Sequence, residues 1–121
     1  MTLSVSTQVS PVGTKLIKDT DAGATAQTDV TGTAGSIFMI DVDNTANGAD
    51  AAYLKIYDDA APTVGTTDPD HIFRIPVNQR RTIVAPDGLD FSALSYAVVT
   101  SPGTPGTTAP ANTVTLSMVT S

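Results

Sequence analysis

Tyr53-Leu54-Lys55-Ile56-Tyr57-Asp58 opens the stretch whose reading decides the fold, and Leu94-Ser95-Tyr96-Ala97-Val98-Val99-Thr100 closes it. Between them stand Ala61-Pro62-Thr63-Val64-Gly65-Thr66-Thr67-Asp68-Pro69, Ile72-Phe73-Arg74-Ile75-Pro76-Val77 and Pro86-Asp87-Gly88-Leu89-Asp90-Phe91. Short runs of β-branched and aromatic residues thus alternate with Pro, Gly and Asp, which is the signature of strands joined by turns.

Within these runs the apolar residues recur at every second position, as in a strand with one face in a core. Leu54 and Ile56 point one way, and Tyr53, Lys55 and Tyr57 the other. Phe73 and Ile75 alternate with Ile72 and Arg74, and Leu94, Tyr96 and Val98 share a face. The same period extends outward along the chain. Ser36–Asp43 is the clearest core strand, with Phe38, Ile40 and Val42 against Asp41 and Asp43. Val114, Leu116 and Met118 align in Thr113–Val119, and Leu3, Val5, Thr7 and Val9 alternate with Ser4, Ser6 and Gln8.

Thr14–Lys18 and Arg80–Ala85 add two short runs, and Thr25–Thr31 is expected as a Thr-rich edge strand. Asn78-Gln79 is expected to form a tight turn into Arg80, and Pro86-Asp87-Gly88 to end that strand. The ten residues Ser101–Pro110 read as a loop too polar to pack. No window holds an apolar stripe of helical period. The expectation is an all-β fold with eight or nine short strands and little or no helix. It is an antiparallel β-sandwich of jelly-roll or related Greek-key type, with residues 1–121 as one domain and 1–12 as an assembly arm or edge strand.

Composition agrees. Thr, whose branched Cβ suits a pleated surface, occurs 20 times, and all 12 acidic residues are Asp, a turn former, with no Glu. Ala supplies 15 of the apolar residues and there is no Trp, so the core is built of small side chains. A net charge of −6 argues against a broad nucleic-acid footprint. No apolar run approaches the roughly 20 residues of a membrane span, and the absence of Cys excludes disulfides. The start, Met1-Thr2-Leu3-Ser4-Val5, has no basic segment followed by a long apolar run. It is therefore not read as a secretory signal, and the chain is expected to be a complete product of the cytoplasm.

Chemistry finds little to use. His71 is the single His, beside Asp70 at the start of a strand, with no positioned partner and no Gly-x-Ser-x-Gly elbow anywhere. Asp58, Asp59, Asp68 and Asp70 are close in sequence, yet turn formation explains them more simply than glycoside hydrolysis. Asp41, Asp43, Asn44 and Asp50 gather oxygen donors in one loop, but Thr45 and Ala46 stand where a calcium loop needs its fifth-position ligand and its Gly. No enzyme, cofactor or metal is expected. Arg74, Arg80 and Arg81 form a basic island in an acidic chain, either a solvated hairpin or an ionic contact to an acidic partner.

The quoted stretch resembles a pattern of small virion proteins of tailed bacteriophages. The match runs through Tyr53–Asp58, Pro62–Pro69 as Pro-x-Val-Gly-Thr-x-x-Pro, Phe73–Pro76 as Phe-x-Ile-Pro, Gly88–Phe91 and Leu94–Thr100, about the middle two fifths of the chain. The resemblance implies a structural protein of the virion, located on the capsid surface. It is expected to be a capsid decoration, or cement, protein that stabilises the major capsid protein shell. Its partners would be the major capsid protein and itself, as a homo-oligomer with a trimer as the expected order, and neither nucleic acid nor membrane. A tail, neck or fibre module is the alternative, and a carbohydrate- or calcium-binding domain a further one. The expected contact residues are Leu3, Val5 and Val9 on the arm, outward-facing Tyr53 and Tyr57, and the island Arg74, Arg80 and Arg81; for Tyr53 and Tyr57 the equal alternative is that both faces of their strand are buried, between the two sheets and a covering loop.

Overall fold

The computed structural model describes Leu3 and residues 13–121. Its strands are β1 (Lys15–Ala22), β2 (Gly35–Asp43), β3 (Ala52–Asp58), β4 (His71–Ile75), β5 (Arg80–Phe91), β6 (Leu94–Val99) and β7 (Val114–Thr120), with no helix among the described residues. They form two antiparallel sheets, one in the order β1-β7-β2-β5 and one in the order β4-β3-β6. Period-two alternation sets which side chains meet between the sheets. Ile37, Ile40 and Val42 of β2 and Val114, Leu116 and Met118 of β7 share one cluster with Leu54 and Ile56 of β3 and Leu94, Tyr96 and Val98 of β6. The two sheets therefore close over a single core, a β-sandwich.

The described residues hold seven strands, against the eight or nine expected of the whole chain. The run Leu3 to Val9 lies outside the described residues apart from Leu3. The expected edge strand Thr25–Thr31 is reduced to one bridge, Gln27 with Tyr96, although its path does run along the free side of β6. The Gly23 carbonyl accepts from Val98 N at 2.9 Å, Gln27 exchanges bonds with Tyr96, and Val30 N donates to the Leu94 carbonyl at 2.8 Å. Eight residues of the segment thus span five of β6, so the ladder cannot stay regular.

Strand β5 continues through Pro86-Asp87-Gly88, where a turn was expected. Val84 pairs with Met39 and Leu89 with Ile37, so residues 85–88 bulge opposite Phe38 alone. Edge position makes this possible: the outer side of β5 asks for no partner, so the missing N–H of Pro86 is tolerated there. Gly88 takes φ +82°, and a Cβ on it would sit 2.8 Å from the Ser36 Cβ. The same bulge turns Phe38 half outward, away from the Ile40 and Val42 face it was expected to join.

The Asn78 turn exists, with φ +54°, but it does not build a hairpin. It carries the chain from β4 in one sheet to β5 in the other.

Candidate contact surfaces

The two sheets treat their outer faces differently. On the β4-β3-β6 sheet the outer residues of β3 pair with Ser95, Ala97 and Val99 of β6. Lys55, Tyr57, Ser95, Ala97 and Val99 are all buried. Both faces of these strands are therefore covered. The cover includes Ser101–Pro110, the loop expected to be too polar to pack. Its polarity is what the site needs: the Lys55 ammonium, under the loop, donates to the carbonyls of Gly103 at 2.6 Å and Gly106 at 3.1 Å. Burial holds the Lys55 titration below its ordinary value. Thr104 Oγ1 donates to Asp68 at 2.7 Å, tying this loop to the one before β4.

Burial decides the fate of the tyrosines. Tyr57 faces away from the inter-sheet core as expected, yet it is wholly buried, so it is not an exposed contact residue. Its titration is raised by that burial. Tyr96 lies in the core and donates its hydroxyl to Asp19 at 2.7 Å. Tyr53 alone of the three is half-exposed.

The basic island is divided. Arg74 stands exposed on β4, whereas Arg80 and Arg81 begin β5 in the other sheet. Arg80 is committed to Asp41: its Nε donates to both carboxylate oxygens at 3.0 and 3.1 Å, across paired strands. This bond holds the Asp41 carboxyl below the usual carboxylate range. Arg81 is exposed and Leu3 is 78% exposed, while Val5 and Val9 lie outside the described residues.

The loop after β2, the candidate calcium loop, spends its donors on closing the end of the sandwich. Asp43 accepts from the Thr45 amide at 2.9 Å and from the Thr45 hydroxyl, bonds that depress its titration. Buried Asn44 points inward, donating to the Asp50 and Pro76 carbonyls at 3.3 and 3.1 Å and accepting from Asn47 at 2.9 Å. Asn47 in turn brackets Asn112, donating to its carbonyl at 3.1 Å and accepting from its amide at 2.8 Å. No group of three His, Cys, Asp or Glu side chains among the described residues is placed to hold a metal ion.

The carboxylates before β4 are likewise engaged in turns. Asp58 accepts from the amides of Ser92 and Ala93, Asp59 from that of Ala61, and Asp70 from that of Asp58. His71 lies half-exposed at the start of β4, its ring 6.2 Å from that of Phe73.

Among the described residues the β1-β7-β2-β5 sheet leaves its outer face largely uncovered, with Gly13 lying against Val119, and that face holds the contact candidates that sequence reasoning missed. Leu16, Val119, Met39 and Val84 point outward there, with Leu16 and Val84 among the exposed large apolar residues. The signal was present as doublets. Leu16-Ile17, Met39-Ile40, Ile83-Val84 and Met118-Val119 each put an apolar residue on both faces of a strand.

No family model, curated protein or solved structure matches this chain.

Proposed function

We propose that this protein is a structural component of a bacteriophage virion, a capsid decoration protein that binds the major capsid protein shell. The observation that supports it most is the strand order. With the segment 23–30 counted in its place beside β6, eight chain segments lie in the orders 1-8-3-6 and 2-7-4-5. We read this as the jelly roll, an architecture shared by viral capsid and lectin domains. The resemblance through Tyr53–Thr100 favours the virion over the lectin. So does the burial of Tyr57 and Tyr96, which withdraws two of the three tyrosine rings from any sugar platform.

In this reading the work is mechanical. Subunits associate with one another and lie across junctions of the major capsid protein, on the outside of the particle. Area buried there adds to what holds the shell against packaged DNA. Exposed Arg74 and Arg81 and the half-exposed Tyr53 are the side chains available for that contact.

Quantitative mass spectrometry of purified virions tests the proposal. About one copy, or about one third of a copy, per major capsid protein is expected for a symmetric decoration. A ratio of a few per cent moves the protein to the tail or neck, and absence from the particle overturns the virion reading.

A further inference from the structure

The outer face of the β1-β7-β2-β5 sheet, largely uncovered among the described residues, carries four apolar side chains in one cross-strand row. Leu16 stands opposite Val119, Val119 opposite Met39, and Met39 opposite Val84. Leu16 is 69% and Val84 64% exposed, and Met39 and Val119 are half-buried. Met39, Val84 and Val119 line a shallow hollow of about 350 Å³ together with Phe38 and Pro86. The next row along the strands is polar: Lys18, Ser117, Asp41 and Thr82, again in register. An apolar stripe running unbroken from one edge strand to the other, rimmed by polar residues, marks a contact surface.

We propose that this face joins two copies of the chain about a two-fold axis parallel to the strands, between β7 and β2. Such an axis lays β1 over β5 and β7 over β2. Leu16 then meets Val84 of the partner subunit, and Val119 meets Met39 of the partner subunit. Apolar row covers apolar row, and polar row covers polar row. Lys18, which has no ion pair among the described residues, comes to rest over Thr82 of the partner subunit, next to Asp41 of the partner subunit. Asp41 already holds its own Arg80, so Lys18 is the charge that enters the contact unpaired, and it does so beside that carboxylate.

An axis across the strands does worse. It lays Lys18 and Asp41 toward the end of the face where Phe38 and Pro86 lie, and charges would lose water against apolar surface.

The area suffices. Four strands about 4.8 Å apart, each with about seven residues rising about 3.3 Å, make a face near 19 by 23 Å. Two such faces in contact remove on the order of 1,000 Å² from water, the lower range of specific interfaces. The contact stands independently of the virion reading. It also differs from a three-fold assembly, in which each subunit uses two different surfaces.

Because the chain has no Cys, Leu16→Cys and Val84→Cys can be introduced together as a probe. Within one chain these positions are three strands apart, about 14 Å, too far for a disulfide. Sedimentation of the full chain should give twice its 12.4 kDa mass. Mild oxidation should convert the double variant to a linked dimer, and leave Leu16→Cys alone unlinked. Val84→Lys, at an exposed position, should abolish the dimer with the far-ultraviolet circular dichroism unchanged. Three results would overturn the proposal: a monomer at high concentration, a cross-link through Leu16→Cys alone, or an oligomer indifferent to Val84→Lys.

Discussion

Asn44 has its side chain fully buried and divides it among the Asp50 and Pro76 carbonyls and Asn47. Removing that amide takes the donor from two part-buried carbonyls and an acceptor from Asn47, a loss of about 1–3 kcal/mol. Asn44→Ala is therefore expected to lower the denaturant midpoint markedly, whereas Thr45→Ala, on the exposed side of the loop, should lower it less. Asp41 makes a pH prediction. Its folded pKa, like that of Asp43, lies below the ordinary value, so each contributes stability that is complete above about pH 5. That contribution is lost as pH falls through the folded values. Thermal melting followed from pH 7 to pH 2 should show a fall below about pH 4, and Asp41→Asn should flatten part of it. The alternating apolar residues announced their roles in the sequence, but the inward turn of Asn44 did not. Of its partners, Asp50 lies further along the same loop and Pro76 is brought to it by the chain's return at the end of β4.

Lys55 shows how an element's two faces can be settled by different parts of the chain. Alternation on β3 placed it opposite Leu54 and Ile56, a solvent position by sequence pattern. A loop nearly fifty residues later instead covers it with two carbonyls. Lys55→Met removes the donor from both carbonyls and is expected to cost about 1–3 kcal/mol. It should also open residues 101–108 to proteolysis, while the core strands keep their amide-exchange protection. β5 carries the matching lesson. Pro86-Asp87-Gly88 has the residues of a turn, and only its place on a sheet edge, beside the bulge at Phe38, makes it part of a strand. Gly88→Ala forces a Cβ into the Ser36 side chain at a left-handed φ, and is expected to destabilise by about 1–3 kcal/mol in a chemical-denaturation curve.

The whole molecule is closed by pairings far apart in sequence. Lys15 pairs with Thr120, and β2 receives β7 on one side and β5 on the other. Such topology makes folding slow, because long loops must close before their contacts form. Refolding by stopped-flow fluorescence from the tyrosines is expected to take milliseconds to seconds. Both sheets should report one transition, since they share one core. By itself the sequence determined the all-β class, the position of most strands and the inward faces of β3, β4, β6 and β7, because period-two alternation is a local property of the chain. Only the tertiary structure decided which outer face is covered and which is left open among the described residues, that the basic island is split between sheets, and that Tyr57 is buried. Those outcomes depend on which loop lies over which strand, and on cross-strand register, and neither is written in any local stretch of residues.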